Sequence, residues 1–358
     1  MRPRPRGAAP VKKTAAKLAD VARLARVSTA TVSRALSSPE RVSRETRDRI
    51  GEVVRRLGYV AHGAARALAS RRTTTVGAVI PTLDNAIFAN TTHALQKTLD
   101  EAGYTLLLAC HEFDADAELR ITRKLIEHGI DGLVLVGTTH RPELFELIDA
   151  VALPYVLTWA LDDTGRHPCV GFNNRTAAQR LANYLLDLGH RDFAVIAGIT
   201  ANNERAAERI EGVRTALAAR GVSLPERRVV EKPYSLVSGR DGLREVMSGG
   251  KRPTAILCGN DVLAIGAMAE CRSAGLRIPA DVSITGFDDM EIASLMSPGL
   301  TTVHLPTEEL GRYAASHLLA RLGDCSFAWS NELPVEMIVR GTTAPPRRTG
   351  RHRTRDTS

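Results

Sequence analysis

A chain of 358 residues with 44 % hydrophobic content has room for one small and two medium domains, and no run of about 18 apolar residues is present to span a membrane. The first residues are basic (Arg2, Arg4, Arg6, Lys12, Lys13) but lack the apolar core and cleavage site of a secretory signal. The net charge of +8 is unevenly spread: residues 1–75 hold 18 Lys/Arg against 5 Asp/Glu, residues 76–346 hold 25 against 34, and residues 347–358 hold 5 against 1. A basic head on an acidic body is the electrostatic footprint of a nucleic-acid binder with a separate sensing module. Five scattered cysteines (Cys110, Cys169, Cys258, Cys271, Cys325) show no C-x-x-C spacing. They suit small core positions in a reducing cytoplasm and speak against a zinc site.

Residues 1–16 and 347–358 are rich in Pro, Arg, Gly and Thr, a composition that predicts disorder. Between Lys17 and Arg72 the pattern is helical. Leu18, Val21, Ala22 and Ala25 fall at i, i+3, i+4 and i+7 and predict a short amphipathic helix over 18–25. A tight turn at Ala25-Arg26-Val27 follows, and Ser28 is a good N-cap for a second helix. That helix buries Val32, Ala35 and Leu36 and turns Thr29, Ala30, Ser33 and Arg34 outward. A third helix, opened by Ser43 and apolar at Ile50, Val53, Val54 and Leu57, closes a small core. Two short helices joined by a tight turn, with small hydrogen-bonding residues at the exposed start of the second, suit a reader of the DNA major groove.

The spacing of Leu18-Ala19-Asp20-Val21-Ala22, Val27-Ser28, Thr31-Val32-Ser33-Arg34, Val42-Ser43, Thr46-Arg47, Leu57-Gly58-Tyr59 and Ala65-Arg66-Ala67-Leu68-Ala69 resembles the lactose-repressor (LacI/GalR) family. The likeness is in one register from Leu18 to Arg72 and continues more loosely to Thr343. It implies that Thr29 and Ala30 are the main base-reading pair and that Arg34 reaches a guanine edge. Ser28, Thr31, Ser33, Ser37, Ser43, Thr46 and Tyr59 are then the phosphate contacts that set register. It also implies a hinge over 62–75, in which paired helices lie in the minor groove, Leu68 wedges a base step and Ala65 permits their close approach. Two positions depart from the pattern. Lys17 stands where the first helix usually has a capping Thr, and Arg26 replaces a common turn glycine, so either a strained positive φ or a slightly different turn is expected there.

From Thr75 apolar strand-like runs alternate with helices: Val76–Ile80, Thr105–Ala109, Gly132–Val136, Tyr155–Thr158, Phe193–Ala197, Ala255–Cys258 and Ser283–Gly286. The helices include Ala89–Ala102, Asp116–His128, Thr176–Leu188, Ala206–Arg220 and Asp261–Ala274. Such alternation predicts parallel sheets covered by helices on both faces. Two units in tandem resemble the periplasmic-binding-protein fold that the family uses as its sensor. The resemblance places a head at 17–61 and an effector and dimerisation domain at 76–346, with crossings near Asn173, Val303 and Trp329. Subdomain one is then 76–172 with 304–328, and subdomain two is 173–303 with 329–346.

Catalytic signatures are missing. No G-x-G-x-x-G follows a strand, Ser248-Gly249-Gly250-Lys251 lacks the rest of a phosphate loop, and there is no H-E-x-x-H. Neither an enzyme nor a cofactor is expected. Ligands of open α/β sheets bind beyond the carboxyl ends of strands, where Asn85, Phe88, Trp159, Phe172, Arg205, Arg209, Asn260 and Asp288 fall. Arg209 matches the family's effector-binding arginine, and Arg, Asn and Asp together suit vicinal hydroxyls. Trp159 and Phe172 either stack on a ligand ring or pack in the core; Arg205 is a second contact or a surface charge. Two arginines in one segment suit a carboxylate, and Thr158-Trp159 with Val170-Gly171-Phe172-Asn173-Asn174 resembles the gluconate-repressor branch. The expected protein is a cytoplasmic repressor of a carbohydrate or sugar-acid operon. It would be a homodimer or higher assembly on a pseudo-palindromic operator, with no membrane partner and a sugar acid such as gluconate as inducer or corepressor. The rival reading is a solute-binding protein or sugar-processing enzyme on the same scaffold.

Overall fold

The computed structural model describes residues 16–60, 72–323 and 330–347. The chain divides into two units at Thr74/Thr75. The first holds helices α1 (Leu18–Ala25), α2 (Thr29–Ser37) and α3 (Arg44–Leu57). Lysine has no acceptor to cap α1, and Asp20 does the work instead: its Oδ2 accepts the Lys17 N–H at 3.0 Å, in the first turn where a carboxylate also complements the helix dipole. Arg26 ends α1 at φ 53°, the left-handed conformation expected where glycine is commoner. Ser28 caps α2 by accepting the Thr31 N–H at 3.0 Å. Val21, Ala25, Val32 and Ile50 are buried at the centre, with Leu36, Val54 and Leu57 partly buried around them. Arg49 locks α3 to the turn by donating its Nε–H to the Ala25 carbonyl at 3.0 Å.

The second unit contains two parallel sheets. The first is six-stranded, in the order β11 (Ser330–Glu332), β5 (Cys169–Gly171), β4 (Tyr155–Thr158), β3 (Gly132–Val136), β1 (Thr75–Ile80), β2 (Thr105–Cys110). The second has the order β7 (Val229–Lys232), β6 (Phe193–Gly198), β8 (Ala255–Cys258), β9 (Ser283–Thr285). Their central strands are buried throughout, as near-continuous apolar runs require when helices cover both faces. The first sheet is flanked by α4 (Ala86–Glu101), α5 (Ala115–Glu127) and α6 (Pro142–Ala150). The second is flanked by α7 (Asn174–Asp187), α8 (Glu204–Ala219), α9 (Leu236–Met247) and α10 (Asp261–Ser273), and a short α11 (Glu291–Leu295) follows β9.

The chain passes to the second sheet after β5 and returns through β10 (Thr302–His304) into α12 (Thr307–Leu322). Helix α12 packs tightly on α4, because Gly311 lets the Thr91 carbonyl approach where a Cβ would collide with it. The expected third crossing at Trp329 lies outside the described residues. Ser330–Glu332 pairs with β5 in the first sheet, so the passage to the second half follows Glu332 rather than preceding Ser330. There β12 (Glu336–Ile338) pairs antiparallel with β10, two crossing segments held side by side. Among the described residues no helix is long and apolar enough to cross a membrane.

Candidate functional site

On the first unit the exposed face of α2 carries Thr29, Ala30, Ser33, Arg34 and Ser37. None has bulk enough to hold the helix away from a groove, and Arg34 brings a cation with five donors. Ser28 and Thr31 are tied to each other (Oγ to Oγ1, 2.8 Å), and Ser43 donates to Thr46 Oγ1 at 3.0 Å. These hydroxyls are pre-oriented at the starts of α2 and α3, where free N–H groups favour phosphate. Tyr59 is half-buried against the small core, which fixes its ring. Ala65 and Leu68, with the rest of the expected hinge over 62–70, lie outside the described residues.

In the second unit the carboxyl ends of the strands converge on a cleft. An inner chamber of about 20 Å³ is lined by Asn85, Ile87, Phe88, Phe113, Trp159, Asn203, Arg205, Arg209, Tyr234, Asn260 and Asp288. It adjoins a mouth of about 320 Å³ lined by Thr82, Asp84, Glu112, Ile199 and Pro233 together with Asn85, Phe113, Asn203 and Tyr234. The fold thus brings seven of the eight expected residues to one place. Phe172 is set apart: it is buried behind Trp159, edge-on to the indole at 6.1 Å, and faces a neighbouring cavity. The reason is local. Phe172 follows β5, one strand further from the chamber than β4, so its ring supports the indole from behind.

Each polar residue is positioned by its own element. Asn260 caps α10 by accepting the Leu263 N–H at 2.9 Å through Oδ1, which aims the amide Nδ2 elsewhere; that nitrogen is buried without a protein partner. Arg209 projects from α8, with its guanidinium 3.8 Å from the centre of the Phe287 ring. It donates to Asn174 Oδ1 (2.9 Å) and to the Gly259 carbonyl (2.7 Å). Asp288, at φ 126° just after β9, holds both carboxylate oxygens buried without a hydrogen bond, one of them 4.0 Å from Arg209 Nη1. Burial pushes its carboxyl well above the usual range; Arg209 opposes this and Asp261 adds to it. Asn85 caps α4, accepting the Ile87 N–H at 3.4 Å. Trp159, at φ 71°, rests against Phe88 with ring centres 5.0 Å apart. Trp159 and Asp288, which both line the chamber, stand at positive φ, backbone strain that aims their side chains.

Chemically the chamber offers two acceptors on Asp288, an amide donor on Asn260, a guanidinium and aromatic walls. Buried polar atoms without partners call for a ligand that supplies both donors and acceptors, as adjacent hydroxyls do. No nucleophile stands beside a base among these groups. Four residues lining the inner chamber escaped the sequence reading: Ile87, Phe113, Asn203 and Tyr234. Tyr234 follows β7, a strand of two valines and two charged residues that carries little periodic signal. Phe113 follows the expected second strand, but a lone aromatic in His111-Glu112-Phe113-Asp114 does not announce its φ of 60°.

Residues 17–62 match the family described as bacterial regulatory proteins, lacI family, and residues 182–343 match the periplasmic binding protein-like domain. The ribose operon repressor of Escherichia coli K12 is 33 % identical over 309 residues, 86 % of this chain and 93 % of that protein. The chain belongs to the LacI family of bacterial regulatory proteins. The HTH-type transcriptional regulator GntR of E. coli K12 is 32 % identical over 316 residues, 87 % of this chain and 93 % of that protein. Among solved structures, the lac repressor dimer bound to operator and the anti-inducer ONPF has a TM-score of 0.82 at 26 % identity. It covers 92 % of this chain and 100 % of its own. The protein is therefore a LacI-family transcriptional regulator with a helix-turn-helix DNA-binding head and a periplasmic-binding-protein-like α/β domain, and its relatives are repressors, not enzymes. The lac repressor of that structure is a dimer on its operator, and the transcriptional regulator CelR, 28 % identical with a TM-score of 0.68, is solved as a complex with cellobiose.

Proposed function

We propose that this regulator is a cytoplasmic repressor of a carbohydrate or sugar-acid catabolic operon, controlled by a sugar acid such as gluconate bound between subdomains. The observation that carries the reading is the trio Arg209, Asn260 and Asp288, with an amide nitrogen and two carboxylate oxygens buried and unpartnered. Hydroxyls of the effector donate to Asp288 and accept from Asn260, Trp159 and Phe88 wall the carbon skeleton, and a second arginine, Arg205, supplies the cation for a carboxylate. The likeness to the E. coli regulator GntR points the same way.

Subdomain one is 76–172 with 304–328 and a return through β11; subdomain two is 173–303 with the remainder to 346. The inner chamber and the wider mouth share Asn85, Phe113, Asn203 and Tyr234 as lining, and closure of the two halves on the effector is the signal. Two heads straddle a pseudo-palindrome in a homodimer. Thr29, Ala30 and Arg34 read bases, Ser28, Thr31, Ser33, Ser37, Ser43, Thr46 and Tyr59 hold phosphates, and Leu68 and Ala65 act in the hinge. By linkage, an inducer and the operator weaken each other equally.

The test is capture of sheared genomic DNA by the full-length protein at about 0.15 M salt, where non-specific binding is weak, followed by sequencing and release with sugar acids. A single palindrome beside an uptake or catabolic operon, released by one sugar acid, is the expected result. Enrichment that no carbohydrate alters would sink the effector reading.

A further inference from the structure

Arg205 sits in the first turn of α8, 6 % exposed, and lines both the inner chamber and the neighbouring polar cavity. Its guanidinium is already engaged. Nη1 donates to Glu204 Oε1 at 3.0 Å, and the same oxygen accepts the Thr138 N–H at 2.9 Å from the loop after β3. Gly137, at φ 96°, makes room for this arrangement: a Cβ there would collide with both the Arg205 and the Glu204 side chains. Glu204 is held ionised. Burial works to raise its carboxyl, but Arg205, the Thr138 N–H and its own backbone N–H outweigh that and leave it below the usual range.

The charge balance of the chamber then poses a problem for an acidic effector. Arg205 stands 3.0 Å from Glu204 and Arg209 stands 4.0 Å from Asp288, so each guanidinium has a carboxyl group beside it before any ligand arrives. Asp288 has no hydrogen bond to lose and serves as acceptor for hydroxyls. Glu204 is different, because it occupies the very cation a ligand carboxylate needs. A second carboxylate at Arg205 meets like-charge repulsion unless the first withdraws.

We propose that Glu204 is a charge selector, an internal carboxylate that holds Arg205 and is displaced from it by the carboxylate of the effector. This rests on the sugar-acid reading above and goes beyond it by assigning the residue that sets how much acid is needed. Displacement leaves Glu204 on the Thr138 N–H and its own backbone N–H, so the exchange at Arg205 is felt at the contact joining α8 to the loop after β3. A neutral polyol makes no such exchange and gains nothing from the removal of Glu204. Glu204→Gln keeps an acceptor for Thr138 and for Arg205 but no charge, and it separates the two ligand classes.

The experiment is calorimetric titration of the full-length protein with six-carbon aldonic and uronic acids, gluconate first, and with their neutral counterparts glucose and glucitol. Glu204→Gln is expected to tighten acid binding about tenfold, equivalent to roughly 1.4 kcal/mol, with neutral ligands unchanged. Arg205→Gln is expected to weaken the acid at least about tenfold and the neutral ligand far less. A gain in affinity does not arise from misfolding, so the sign of the Glu204→Gln change decides the matter. Acid binding that is unchanged or weaker in Glu204→Gln overturns the proposal and leaves the sugar-acid reading standing. If wild type and both variants bind only neutral polyols, the sugar-acid reading falls and this proposal falls with it.

Discussion

In the head, the groups offered to a partner stand in water. Thr29, Ala30, Ser33 and Arg34 are exposed on α2, and what lies beneath them is a plain apolar core of Val21, Ala25, Val32 and Ile50. In the cleft the arrangement is inverted. Asp288, Asn260 and Arg209 are themselves buried, and several of their polar atoms lack protein partners. Recognition from a surface costs the fold little, because water satisfies the groups until DNA replaces it. Recognition from a buried chamber stores uncompensated polarity in the folded state, which the ligand relieves. The two regions should therefore respond oppositely to mutation: cleft variants disturb stability and binding together, surface variants of α2 disturb binding alone.

The sharpest way to break that contrast is Arg209→Met. It leaves Asp288 buried without a counter-charge and strips donors from Asn174 and the Gly259 carbonyl, a loss of about 3–5 kcal/mol. Urea denaturation of the effector domain should show that loss together with absent effector heat; a variant as stable as wild type would refute the buried pairing. Ile50→Ala attacks the head's core instead and costs about 2–5 kcal/mol. It should abolish operator binding while calorimetry of the effector is unaltered. Arg34→Ala removes the exposed guanidinium proposed to read a base and is expected to cost about 1–3 kcal/mol of operator affinity, with no change in the melting of the head.

Asp288→Asn sharpens the comparison through pH. Burial raises the folded-state pKa of Asp288 above its unfolded value, so the folded protein holds that proton more tightly. Its stabilising contribution is complete below the unfolded value and is lost as pH rises through the raised one. At neutral pH the group thus opposes folding, because the unfolded chain ionises it more readily than the folded chain does. Asp288→Asn should melt higher at pH 7, by roughly 2–4 °C for each kcal/mol recovered, with a flatter pH dependence, and should fail to bind effector. A lower melting point at pH 7 would mean that the contact with Arg209 outweighs desolvation. Smallest of all, Arg26→Gly relieves the left-handed φ of 53° at the end of α1 and should stabilise the head by about 0.5 kcal/mol.

The head was readable in one dimension because its recognition surface is local. Ser28, Thr29, Ala30, Ser33 and Arg34 are neighbours in sequence, and helical periodicity alone separates their face from Val32 and Ala35. Apolar runs likewise announced the long buried strands, whereas the short strands Val229–Lys232 and Ser330–Glu332 carry charges or polar side chains and gave no signal. The cleft residues were legible by position, since each follows a strand's carboxyl end, but their grouping was not. Arg209 and Asn174 are 35 residues apart and Glu204 and Thr138 are 66 apart, yet each pair shares a hydrogen bond. Sequence by itself determined the alternation of strands and helices, the exposed face of α2 and the family resemblance, because these depend on short-range spacing. Only the tertiary structure decided that Phe172 stands behind Trp159, that Phe113 and Tyr234 join the chamber, and that Glu204 holds Arg205. Those facts depend on which strands become neighbours, and strand order is fixed by packing across the whole domain.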